Sequence, residues 1–280
     1  MLAATVLALG SAALHAAWNL LIKSSADRTV AAWGQFLAGG ALALPVLALT
    51  GAPPARALPY LAVSACVHVL YVEALTSAYV DGDFSLAYPL ARGGGAVVAA
   101  LGGVVVLGDR LPALAWVGIA VVVAGLVSLP GRRLVSAPPA GLGWALATAA
   151  CIGTYTLIDA AGVRRSGDGL AYALAVMPAT AAALSIASLA RGRAGALRRR
   201  IRVEGRLWLA GGAAATVAYS MVLIAVQRAP VGYVTVLRET SVVLAALAGW
   251  LLLREGGGRQ RLASSAVVLA GLVVLVAAAA

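Results

Sequence analysis

Runs of about 20 consecutive apolar residues recur along the whole 280-residue chain, separated only by short polar breaks. A helix of that length crosses the ~30 Å hydrocarbon core of a bilayer, so the pattern predicts a polytopic membrane protein before any single residue is considered. Breaks at Pro, Gly and clustered charge place spans at about 2–22, 30–49, 58–78, 84–107, 111–129, 141–161, 169–190, 207–226, 231–253 and 262–279. With 62% of residues hydrophobic and 11% charged, no segment is left over for a soluble domain. The opening run has no positively charged start and contains His15, Trp18 and Asn19, so it reads as the first span rather than as a cleaved signal.

The net charge of +11 does not point to nucleic acid, because the arginines sit in the breaks, where they meet lipid headgroups and set orientation. Five basic residues (Arg56, Arg110, Arg164, Arg165 and Arg228) fall on the side of the termini, and fourteen on the other. The excess of positive charge on the cytoplasmic side then predicts termini outside. Cys66 and Cys151 lie within apolar runs and suggest neither a disulfide framework nor a metal cluster.

The two halves resemble each other. Displacing the chain by 146 residues lays Arg92 on Arg238, Leu101 on Leu247, Asp109 on Glu255, and Ala124-Gly125-Leu126-Val127 on Ala270-Gly271-Leu272-Val273. A displacement of 137 lays Ala12-Ala13 on Ala149-Ala150, Trp18 on Tyr155 and Leu20 on Leu157, which puts the extra residues of the second half in the Arg-rich loop 191–206. Residues 1–130 form the first five-helix repeat, 131–140 the connecting loop and 141–280 the second repeat. An odd number of spans per repeat forces the second to enter the membrane upside down. The expected fold is therefore all-α, about ten transmembrane helices in two inverted five-helix repeats, with a binding site near the midplane between them.

A charge at the bilayer centre costs at least ~2.5–3.5 kcal/mol on insertion scales, so intramembrane charges are candidates for function. Arg92 and Arg238 lie roughly 11–12 Å into their spans and approach the centre from opposite faces. Ser85 and Tyr88 share the helical face of Arg92; Ser241 and Glu239 accompany Arg238. A guanidinium fork suits a carboxylate or phosphate, so these arginines either capture an anionic or zwitterionic substrate or form buried ion pairs with Glu73, Asp159 or Glu239. The three acids are candidates for proton coupling or structural counter-ions, the latter favoured for Asp159 at headgroup depth near the end of the sixth span. His15, Asn19 and Lys23 make one polar stripe beside Trp18, either a cavity wall or interhelical hydrogen bonding. Tyr155, His68, Tyr71 and Tyr219 are further candidates, and the Gly93-Gly94-Gly95 run is expected to serve close packing.

The run Asp81-Gly82-Asp83-Phe84-Ser85-Leu86-Ala87-Tyr88-Pro89-Leu90-Ala91-Arg92-Gly93, the run Leu237-Arg238-Glu239-Thr240-Ser241 and the opening His15-Ala16-Ala17-Trp18-Asn19 resemble EamA-type transporters of the drug/metabolite transporter superfamily. The resemblance covers essentially the whole chain. It implies a multi-pass carrier of the bacterial inner membrane with a central cavity, often an exporter of amino acids, other small metabolites or drugs, working by alternating access. Such proteins usually keep both termini in the cytoplasm, the reverse of what the charge count predicts here. No GxxxxGK[ST] pattern occurs, and no cofactor or metal is expected. The expected partners are a small-molecule substrate, the lipid bilayer and protons, with the chain a monomer or homodimer. Two other classes remain open: a membrane-embedded enzyme that modifies a lipid or metabolite, although no HExxH or Ser/His/Asp arrangement is present, and a passive channel.

Overall fold

A computed structural model describes residues 1–23, 25, 27–81, 84–129, 138–244 and 258–279, with side chains described outside 17–23, 79–81, 84–86, 258–259 and 261. The described residues are helical throughout, without strands: α1 Leu2–Lys23, α2 Arg28–Thr50, α3 Leu58–Asp81, α4 Phe84–Leu107, α5 Ala113–Ser128, α6 Pro139–Ser166, α7 Gly169–Ala190, α8 Ala194–Val226, α9 Val231–Leu237 and α10 Gly258–Ala279. Among the described residues, seven helices (α2, α3, α4, α6, α7, α8 and α10) are long and apolar enough to cross a membrane, and α1 and α5 contribute shorter apolar stretches. Their outward faces are apolar, with Leu49 88% and Val105 82% exposed, as a surface solvated by lipid rather than water requires.

Local chemistry sets the helix ends. Asp27 caps α2 by accepting from Val30 N, and Asp168 caps α7 by accepting from Leu170 N and Ala171 N. Between α6 and α7, Gly167 takes φ +77°, the left-handed conformation that stops a helix and that only glycine adopts without strain.

Two elements depart from the expected spans. Helix α8 starts at Ala194, so much of the predicted loop 191–206 is helical: its arginines favour helix, and Arg200 pairs with Glu204 one turn on. The ninth span, expected to run unbroken over 231–253, is interrupted at Arg238 and Glu239 before helix resumes at residues 240–244. There the backbone tightens to three-residue bonds, from Glu239 N to Val236 O, Ser241 N to Arg238 O and Val242 N to Glu239 O. Thr240 Oγ1 donates to Leu237 O at 2.7 Å, helping to satisfy the carbonyls the break frees.

The main packed pairs are α4 with α6, α5 with α10, α3 with α6, α1 with α8, α2 with α7 and α8, and α3 with α7. Small residues let two of these seams close. On α4, a Cβ added to Gly94 would stand 2.8 Å from Ala149 Cβ, and one on Gly95 2.5 Å from Ile152 Cγ2, so the glycines after Arg92 serve helix packing while α4 runs on unbroken. At the α5–α10 seam, a Cβ on Gly125 would stand 2.9 Å from Val268 N, and one on Gly271 2.7 Å from Val122 N.

At one end of the bundle, Asp109 after α4 accepts from Arg164 Nη1 at 2.7 Å and from Val231 N at 2.6 Å, while Arg164 also donates to the carbonyls of Val226 and Ala229. This clasp gathers the ends of α4, α6 and α8 and the start of α9. Arg56 adds a bond to Ser166 O at the same end.

Candidate functional site

A cavity of about 200 Å³ opens inside the bundle, lined by His15 of α1, Arg28, Gln35 and Phe36 of α2, His68 and Tyr71 of α3, Tyr88 and Arg92 of α4, Tyr155 of α6, Tyr219 of α8 and Arg238. It reaches from the middle of the membrane to the start of α2, where Arg28 stands, which is the end opposite the Asp109–Arg164 clasp.

The two central arginines enter this space differently. Arg92 Nη2 donates to Glu239 Oε1 at 2.7 Å, an ion pair whose side chains are 7% and 3% exposed. The break in the ninth span makes it possible, because the turn at 238–239 lets Glu239 reach across to α4 while its neighbour Arg238 faces the cavity. Arg238 has no carboxylate within ion-pair distance among the described residues. Its guanidinium lies 6.0 Å from the centroid of the Tyr219 ring, and its Nε is buried without a hydrogen-bond acceptor. The Nε of Arg92 is buried without an acceptor as well, and a buried guanidinium with a donor to spare is suited to receive an anion.

The aromatic wall is built around His68. Its ring stacks on Tyr155, centroids 4.1 Å apart, and meets Phe36, Tyr71 and Tyr219 edge-on at 6.0–6.3 Å. Its Nδ1 faces the Ser64 carbonyl at 2.9 Å, so in the neutral ring the proton sits on Nδ1 and Nε2 is the acceptor. The cavity thus joins the guanidinium groups of Arg28, Arg92 and Arg238 to apolar and aromatic walls, and a few polar groups set in a largely apolar lining are the usual make-up of a small-molecule site.

Of the residues singled out in the sequence, the structure brings Arg92, Arg238, Tyr88, Tyr155 and His15 to the cavity. Glu239 is buried beside them as the partner of Arg92, and Ser241 is buried next to Tyr88. Glu73 is elsewhere: its carboxylate is a third exposed and pairs with Arg191 at 3.0 Å and Arg193 at 3.6 Å, because α3 turns that face toward the basic end of α7. Asp159 has no basic partner among the described residues and is not a counter-ion there. It is fully buried behind Tyr155 and Tyr219, and accepts from Tyr172 Oη at 3.0 Å and Tyr219 Oη at 2.5 Å. Trp18, Asn19, Lys23 and Ser85 lie outside the residues whose side chains are described.

Sequence reasoning passes over Gln35 and Arg28, which line the cavity, and Tyr172, which holds Asp159. Gln35 had a visible signal, being the one polar amide in the apolar run of α2 and 5% exposed. Tyr172 had none, since a tyrosine in a span is ordinarily packing.

Residues 139–277 match the model of the EamA-like transporter family. The chain belongs to that family, within the drug/metabolite transporter superfamily. No curated protein matches the sequence. A solved structure titled only as the crystal structure of a protein superposes with a TM-score of 0.74 at 19% identity, covering 97% of this chain and 95% of its own. At that identity the likeness speaks for the fold alone. This EamA-family chain is thus a multi-pass membrane protein of a transporter family, with a cavity that carries a cation at its centre.

Proposed function

We propose that the chain is a secondary active transporter of the bacterial inner membrane that exports small anionic or zwitterionic, amino acid-like metabolites. The observation that carries the reading is the contrast at the cavity: Arg92 is hydrogen-bonded to Glu239, whereas Arg238 lines the wall with no carboxylate within ion-pair distance among the described residues. A substrate carboxylate completes Arg238, and the aromatic wall around His68 takes the apolar part of the same molecule.

Alternating access between two inverted five-helix repeats is the mechanism in this reading. It is supported by much of the packing when each helix is exchanged for the one five places on: α3 with α6 answers to α8 with α1, α2 with α8 to α7 with α3, and α2–α7 and α5–α10 answer to themselves, while the extensive α4–α6 contact has a slighter counterpart in α9–α1 among the described residues. The cavity reaches one end while the Asp109–Arg164 clasp gathers the other. By the arginine count the open end is cytoplasmic, which is where an exporter loads.

The test is metabolite profiling of medium and cytosol from cells expressing the wild type or Arg238→Gln at matched membrane levels. A small carboxylate that changes sides only with the wild type is the expected result. A lipid or metabolite that is chemically altered instead would replace transport by catalysis.

A further inference from the structure

Every acid whose side chain is described is matched to a cation or a helix terminus, with one exception. Asp27 and Asp168 cap helices, and Glu73, Asp109, Glu204 and Glu239 pair with arginines. Asp159 has no basic partner among the described residues, although it is fully buried in α6 roughly 10 Å short of that helix's end. A permanently ionised carboxylate at that depth is costly without a cation. Two phenolic donors nevertheless support the anion, so both protonation states can be held in place.

The acid is one side chain removed from the cavity. Tyr219 bridges the gap: its hydroxyl donates to Asp159 Oδ2, and its ring lines the cavity and faces Arg238 at 6.0 Å. Among the described residues, the other ionisable groups turned toward this spot are Tyr155 on α6 itself, His68 from α3 and Tyr172 from α7. Arg92 on α4 is already held by Glu239, and Arg56, on the segment before α3, donates to Ser166 O.

We propose that Asp159 is the proton-binding site of this carrier and that Tyr219 couples its occupancy to Arg238, an assignment that rests on the transport reading only for what is coupled. A hydronium ion gives up one O–H bond as its proton bonds to Oδ2, leaving water, and no other covalent bond changes. Oδ2 then donates where it had accepted, the Tyr219 hydroxyl turns about its Cζ–Oη bond to accept, and the lost attraction to a carboxylate anion lets the ring that faces Arg238 shift. The substrate's grip on Arg238 thereby depends on whether Asp159 carries a proton, and by reciprocity the proton's affinity depends on the substrate.

Infrared difference spectra of the full-length protein in lipid, taken between alkaline and mildly acidic buffer, are expected to show a protonated-carboxyl band that Asp159→Asn removes. Tyr219→Phe should keep the band at higher frequency, one hydrogen bond having gone, and His68→Gln should leave it in place. A band that survives Asp159→Asn, or its absence from the wild type, overturns the site. In proteoliposomes, with a radiolabelled mixture of proteinogenic amino acids as probe, Asp159→Asn should keep exchange and lose accumulation driven by a pH gradient; persistence of driven accumulation also overturns it. Driven accumulation undiminished in Tyr219→Phe overturns the coupling through Tyr219. Failure of the wild type to exchange the probe counts against the transport reading, and the infrared band then decides on Asp159 by itself.

Discussion

Arg92 and Arg238 fall on each other when the chain is displaced by 146 residues, yet the first is bonded to Glu239 while the second lies over the Tyr219 ring with no carboxylate within ion-pair distance among the described residues. The residue that follows each arginine accounts for much of the difference. After Arg92 comes Gly93, and α4 continues as an unbroken helix pressed against Leu126, which a Cβ on Gly93 would approach to 3.3 Å. After Arg238 comes Glu239, at a break in the helix that sends the acid across to the other half. A charge present in both halves has thus become a structural pair in one and an available cation in the other. One acid and one broken helix are enough to set two arginines at matching positions in different surroundings.

The largest effect should come from breaking the paired side. Glu239→Leu leaves Arg92 charged, buried and unpaired, and should cost about 3–5 kcal/mol, read as a lowered melting temperature in detergent. The double variant Arg92→Leu with Glu239→Leu should recover most of that loss; equal melting of the single variant and the wild type would remove the distinction between the two arginines. Next comes the open side: Arg238→Gln should leave the melting temperature nearly unchanged while transport falls roughly tenfold to a hundredfold, the equivalent of about 1.5–3 kcal/mol for a hydrogen bond to a charged group. The packing of α4 on α6 can be tested with Gly95→Val, which overfills the contact with Ile152 and should cost about 1–3 kcal/mol, whereas Gly143→Ala meets open space and should cost far less. The smallest effect belongs to Glu73→Gln, which removes a partly exposed ion pair off the cavity and should change stability by about 1 kcal/mol or less, with transport intact.

Much of this was legible in the residues. The lengths of the apolar runs place most helices within a few residues, and the cost of intramembrane charge singles out Arg92, Arg238, Glu239 and Asp159. Pairing was not legible, because it is decided by where helices far apart in sequence come together: Glu239 serves Arg92 rather than its neighbour, and Glu73 serves Arg191 and Arg193. The break at Arg238 was hidden for another reason. Val, Leu and Thr flank it as they would in an intact span, and the turn is held by backbone and hydroxyl bonds that leave no Gly or Pro as a marker.

The seam between α5 and α10 carries one more consequence. Gly125 approaches Val268 as Gly271 approaches Val122, and with the 146-residue displacement these are the same contact counted from either side. Such reciprocity is what distinguishes the interface of a symmetric homodimer. Helices α5 and α10 therefore meet, within one chain, across a contact of the kind two identical subunits would use.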